Sequence, residues 1–261
     1  MQQNRLSETA RQPAAILAGL DGCRAGWIAV HADVSGSGDR DSAMAAASVS
    51  LFTTIGDAAA ALGPSAIIAV DMPIGLPERT STGGRPPEKC VRPLLGARQS
   101  SVFAIPSRAA VYADAYSEAC RIALETSDPP RKVSKQAFHI FPKIREIDAL
   151  MTPQLQSRVY ECHPEVALMQ SNGAPAPLPK KVKSRINPDG VQWRIDFLTG
   201  LGIPPELFTG TLPRGVKHGR DDIADAAACA LTAWRILEGR AIRYPHKPVY
   251  DAAGLDMAIW A

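Results

Sequence analysis

The run Ala66-Ile-Ile-Ala-Val70 contains no polar residue and stops at Asp71. A surface strand alternates apolar and polar positions, so an unbroken run this short predicts a strand buried on both faces, as in a parallel sheet. Ala15-Ile-Leu-Ala-Gly-Leu20 is a second apolar run and stops at Asp21, and Gln156-Ser-Arg-Val-Tyr160 is a further strand candidate that stops at Glu161. After Asp21, Gly22-Cys-Arg-Ala-Gly26 supplies turn material before Trp27-Ile-Ala-Val-His31, which predicts a hairpin. Residues 47–53 alternate by two and predict another strand. Residues 34–42 read as a polar loop. Helical patterns cover 55–62, 109–125, 134–150, 192–201 and 222–238, the last with Ile223, Ala227, Ala230, Leu231, Trp234 and Leu237 on one stripe. Three strands followed by alternating helices and strands predict an α/β architecture. Residues 241–261 carry no clear pattern.

In open α/β sheets, ligands bind beyond the carboxyl ends of the strands. Adjacent strands ending in Asp21, Asp71 and Glu161 would bring three carboxylates into one shallow crevice. Like charges so close repel, and a divalent cation is the natural compensation. A strand-end acid taken singly also suits a turn. The segment Gly219-Arg-Asp-Asp-Ile-Ala-Asp225 adds Asp222 and Asp225, which are three apart and share a helical face. First-turn acids also stabilise the helix dipole, and Asp221 is a good N-cap candidate. Asp225 lies a full turn inside, where neither purpose applies.

Phosphate-bearing substrates need cationic partners. Residues 72–106 form a long proline-punctuated excursion with Arg79, Arg85, Lys89, Arg92 and Arg98, and such excursions usually line or cover a site. Residues 173–188 are a second irregular segment, with Lys180, Lys181, Lys183 and Arg185. Candidate substrate contacts are Arg24 beside Asp21, Arg98 with the Ser100 and Ser101 hydroxyls, and Lys181 and Lys183; ordinary solvated loops are the alternative. Aromatic residues make up only 6% of the chain, and few lie in the basic loops, so stacking platforms for single-stranded bases are not visible. Structured nucleic acid gripped by its backbone and a small phosphorylated substrate both remain open.

A net charge of +3 is too mild to mark a nucleic-acid binder by itself. The 261 residues, 46% apolar, are enough for one sizeable core, and without internal repeats they predict one domain over 15–261 behind a disordered tail over 1–14. Five scattered cysteines with no C-x-x-C pair predict reduced thiols and a cytoplasmic protein. No apolar run reaches the length of about 18 residues that spans a bilayer, and the polar N-terminus is not a secretory signal.

Gly19-Leu-Asp-Gly-Cys-Arg-Ala-Gly-Trp27, Val70-Asp-Met-Pro-Ile-Gly-Leu-Pro77, Gly96-Ala-Arg-Gln-Ser-Ser-Val-Phe-Ala-Ile-Pro106, Glu161-Cys-His-Pro-Glu165 and Asp221-Asp-Ile-Ala-Asp-Ala226 resemble the domain of unknown function 429 family, regarded as predicted RNase H-like nucleases. The likeness extends less tightly to Holliday-junction resolvases, which also end in a helix carrying an Asp-x-x-Asp-Ala type motif. It implies a five-stranded mixed sheet with the first three strands antiparallel, flanking helices and a long proline/arginine-rich insertion. It also implies that Asp21, Asp71 and Asp225, with Asp222 or Glu161, hold two Mg²⁺ or Mn²⁺ ions about 3.5–4 Å apart for phosphodiester hydrolysis. Resolvase-like enzymes often act as dimers, which makes a homodimer an expectation. Either Glu161 or Glu165 is then the ligand, and His163 either orients a carboxylate, moves a proton or is structural. Two alternatives stand beside the nuclease: a non-catalytic ligand- or protein-binding scaffold, and a phosphotransferase related to actin-like ATPases, for which no G-x-x-x-x-G-K-[ST] loop is present.

Overall fold

The computed structural model describes residues 16–35, 40–183, 185–209 and 219–261. The tail expected over 1–14 lies outside them. Five strands form the central sheet: β1 (Ile16–Cys23), β2 (Gly26–Asp33), β3 (Ser48–Phe52), β4 (Ile67–Val70) and β7 (Val159–Glu161), in the order β3-β2-β1-β4-β7. β2 is antiparallel to both β1 and β3, whereas β4 is parallel to β1 and β7 is parallel to β4. This α/β arrangement, antiparallel on one side of β1 and parallel on the other, is consistent with an RNase H-like fold.

Alternation along the strands divides the interior into two layers. Ala18, Leu20, Trp27, Ala29, Ile68 and Val70 face one side, against α2 (Ile55–Ala61), α5 (Tyr116–Glu125) and α6 (Lys135–Leu150). Leu17, Ile28, Val30 and Ala69 face the other, against α8 (Pro188–Gly200) and α9 (Arg220–Leu237). The apolar run of β4 is buried on both faces, as its composition requires. α6 is tied to the sheet through Glu146, which accepts from the Trp27 indole (2.8 Å) and from the Ile55 N–H at the start of α2 (2.7 Å).

α9 is more deeply buried than a one-sided stripe predicts. Apart from Asp222, every residue from Asp221 to Trp234 is buried, because the helix is covered by the sheet on one side and by α8 and α7 (Pro164–Asn172) on the other. Its alanines make this possible, and so does Gly19. A Cβ at Gly19 would fall 2.0 Å from the Ala226 carbonyl oxygen and 2.1 Å from the Ala230 nitrogen, so only glycine lets β1 touch the α9 backbone.

Several local expectations need correction. The loop predicted through residue 42 gives way at Arg40 to α1 (Arg40–Ala45); residues 36–39 are not described. The helix expected over 109–125 is two, α4 (Arg108–Val111) and α5, separated where Arg145 reaches back to Asp114 (3.1 Å). Residues 72–106 are not wholly irregular: Pro86 opens α3 (Pro86–Val91), since a missing N–H costs nothing at a first helical position, and a 3-10 segment follows over Arg92–Ser101. The two-residue strands β5 (Thr80–Ser81) and β6 (Ser127–Asp128) pair in parallel, and β8 (Lys181–Val182) and β9 (Arg185–Ile186) pair antiparallel. The unpatterned C-terminus forms β10 (Arg243–Tyr244) and β11 (Ile259–Trp260), and Trp260 bridges to Cys162 just beyond β7.

Candidate active site

Asp21 and Asp71 stand side by side. Leu20 is paired with Val70, and the Asp71 N–H donates to the Leu20 carbonyl (2.8 Å). Asp21 follows Leu17 and Gly19 in the alternation of β1, so its side chain faces α9, and it is buried. Asp225 approaches from α9 and is also buried. Among the described residues, neither Asp21 nor Asp71 has a side-chain hydrogen bond. Burial, and then the charges of Asp225 and Asp71, push the Asp21 carboxyl well above the usual carboxylate range. Burial and the Asp225 charge push Asp71 up to about 8, and Asp225 is raised chiefly by burial.

The cation that meets these acids is Lys180. Its Nζ donates to Asp225 Oδ2 and faces Asp21 and Asp71. Burial lowers the Lys180 pKa, but the attraction of Asp225 and Asp21 outweighs it, and the ammonium is held above its ordinary value. Sequence reasoning placed Lys180 in a basic loop without assigning it to the site. Its run with Lys181 was the available signal.

Glu161 lines the same cavity as Asp21 and Asp71 but from the other face of the sheet. It is paired with Val70, and residues in register on parallel strands point the same way, so Glu161 shares the Val70 face rather than that of Asp71. There Arg85 grips it through Nη2 (2.5 Å) and Nη1 (3.1 Å), and the Ile74 N–H adds a third bond (2.7 Å). The same guanidinium bonds Glu88 (2.7 Å) and the Ile74 and Gly75 carbonyls (both 2.9 Å). Burial pushes Glu161 up to about 7 despite Arg85. Glu165, in the first turn of α7, is held by buried Arg194 through Nη2 and Nε (3.2 Å). Glu165 thus has Arg194 and Glu161 shares Arg85 with Glu88, while among the described residues the three aspartates share one lysine.

The other acids of α9 are engaged at its N-terminus. The N-cap is Gly219, not Asp221; Asp222 Oδ2 accepts from the Gly219 N–H (2.9 Å), and Asp221 lies 3.5 Å from Lys181 Nζ. Of the expected substrate contacts, Arg24, Ser100, Lys181 and Lys183 are exposed, and Arg98 and Ser101 are half-buried. A cavity of about 160 Å³ opens at the strand ends, lined by Asp21, Asp71, Arg85, Glu161, Ser101 and His163 among others. His163 Nε2 lies 3.3 Å from the Ser101 carbonyl, its Nδ1 has no partner among the described residues, and burial lowers its pKa.

Oxygen-only donors carrying unneutralised charge suit a hard divalent cation. Among the described residues, no three His, Cys, Asp or Glu side chains converge closely enough to ligate one as they stand. The family model of a protein of unknown function, DUF429, matches residues 19–249. The chain belongs to the DUF429 family. The matched span runs from β1 through α9 and so includes every residue of the aspartate cluster. Comparison with curated proteins and with solved structures gives no significant match. Among the described residues no helix is long and apolar enough to cross a membrane, and all five cysteines are free thiols.

Proposed function

We propose that this DUF429 protein is a divalent-metal-dependent phosphodiesterase whose substrates are nucleic acids. The observation that carries this reading is the trio Asp21, Asp71 and Asp225, brought together from two parallel strands and a helix with no arginine partner among the described residues, while beside them Glu165 is paired with Arg194 and Glu161 with Arg85. Bound Mg²⁺ or Mn²⁺ would polarise a phosphoryl oxygen and lower the pKa of an attacking water. Asp21, Asp71 and Asp225 would hold it. Arg85 and Arg194 keep the flanking glutamates from competing, and His163, kept neutral by burial, has a free nitrogen for a proton. Arg24, Arg98, Ser100, Ser101, Lys181 and Lys183 would grip phosphates at the rim.

The test is cleavage of duplex DNA, single-stranded DNA, RNA and branched junctions with Mn²⁺ or Mg²⁺, with Asp21→Asn as the control. Asp21→Asn keeps the shape and removes a charge, and is expected to reduce any cleavage by at least about a thousandfold, in line with loss of metal assistance. Absence of both cleavage and metal binding in the wild type would end this reading. A non-catalytic binding scaffold is the second reading, favoured by the Lys180 ion pair and by the lack of converged ligands among the described residues. A tight protein or ligand partner together with metal affinity no better than about millimolar would favour it.

A further inference from the structure

Lysine side chains are long and lose much rotamer freedom when held in one place. Lys180 is nevertheless anchored at its base. Arg194 Nη1 donates to the Leu178 carbonyl (3.0 Å), Asn187 Nδ2 donates to the Pro179 carbonyl (2.9 Å), and the Asn187 N–H donates to the Lys180 carbonyl (2.9 Å). A Cβ at Gly190 would meet the Pro179 carbonyl oxygen at 2.0 Å, so the glycine lets this segment lie directly on the first turn of α8. The backbone from Leu178 to Lys180 is thereby fixed to a helix of the core, and the ammonium is delivered to Asp225 with Asp21 and Asp71 facing it.

The charges then balance in a particular way. Glu165 is paired with Arg194, Glu161 shares Arg85 with Glu88, Asp222 caps the Gly219 N–H, and Asp221 has Lys181 nearby. Among the described residues, that leaves Asp21, Asp71 and Asp225, once ionised by a bound cation, against the single ammonium of Lys180. The excess of two negative charges matches one divalent cation, whereas two such ions beside Lys180 would leave the group strongly positive.

We propose that Lys180 is a fixed positioning cation that takes the post of a second metal ion, so that the crevice binds one divalent ion. This deepens the metal-dependent reading above and rests on it. The ammonium keeps Asp225 oriented and keeps the cluster from needing a second metal, and as a compact point charge with three donors it remains able to meet a phosphate oxygen.

Calorimetric titration of the full chain with Mn²⁺ tests the proposal through a count of ions rather than through activity. The wild type and Lys180→Arg are expected to bind one Mn²⁺ per chain. Lys180→Met, nearly the same length without the charge, is expected to bind a second ion or to bind the first at least tenfold more tightly. Two ions on the wild type, or a folded Lys180→Met that matches it in both count and affinity, overturns the role of Lys180 and leaves the metal-dependent reading standing. No binding by either the wild type or Lys180→Met overturns both. Should Lys180→Met fail to fold, the counts for the wild type and Lys180→Arg decide, one ion supporting the proposal and two overturning it.

Discussion

Arg85 places its donors on two glutamates and two carbonyls, all of them buried, and so holds the loop after β4 to the end of β7. Removing one partner of such a group leaves charge stranded in a low dielectric, which costs about 3–5 kcal/mol. Arg85→Met is expected to lose that much stability at pH 7.5 in urea denaturation and less at pH 5.5, because Glu161 and Glu88 are already raised by burial and would take up protons. An equal loss at both pH values would mean that stranded charge is not the cause. Asp71 gives a second pH dependence. Its folded pKa of about 8 stands above the ordinary 3.8, so between these values the native chain holds a proton that the unfolded chain lacks. Stability is therefore greatest at the acid end of this window and falls as pH rises toward 8, by up to about 1.4 kcal/mol per pH unit for one group. Melting in EDTA from pH 5 to 8 should show the decline, and Asp71→Asn should make it shallower, the raised Asp21 and Glu161 keeping part of it.

At the scale of elements, the site depends on how closely α9 lies on β1. Gly19→Ala would drive a methyl group into the Ala226 and Ala230 backbone, which cannot yield as a side-chain tip can. Overpacking of this kind costs about 3 kcal/mol or more, and the melting temperature is expected to fall by roughly 6–12 °C. A change below about 2 °C would show that the helix moves away freely. The elements differ in how far the sequence disclosed them. The long apolar runs of β1 and β4 are legible because nothing but a doubly covered strand buries them. α9 reads as a single stripe because its alanines weigh little in a periodicity, although they are what allows cover on every side. β10 and β11 have two residues each, too few for any period to appear. At the site, three acids at strand ends are visible in the sequence, but the face each one takes follows from register. Asp71 lies one residue beyond the pair Val70–Glu161, and with a period of two that single step separates the α9 face from the Arg85 face. The position of Lys180 is set by Asn187, Gly190 and Arg194, contacts made only once the chain has folded back, and no local pattern around Lys180 encodes them.

The molecule as a whole carries a small positive charge, +3. Arg24 lies in the turn between β1 and β2, Arg98 and Ser101 in the 3-10 segment beside the cavity, and Lys181 in β8 next to α9 and Lys183 just after it. These segments are far apart in sequence. The end of β1 and the 3-10 segment bring Gly22 and Ser101 to one cavity, and Lys181 lies beside Asp221 at the start of α9. Under the proposed reading an extended polyanion would touch several of them at once, whereas a small phosphorylated molecule would touch only groups at the cavity. Counterion release separates the two cases. Each phosphate neutralised on a duplex contributes about −0.9 to the slope of log affinity against log salt. Four rim contacts from Arg24, Arg98, Lys181 and Lys183 therefore predict a slope of about −3.6 for duplex DNA with Asp21→Asn, which can be titrated without cleavage. Introducing Lys183→Glu into that protein should make the slope shallower by about one and weaken binding similarly for unrelated sequences, as expected of a phosphate contact. A slope no steeper than about −1, unchanged by Lys183→Glu, would instead assign the crevice to a small phosphorylated substrate bound by the groups around Ser101 and His163.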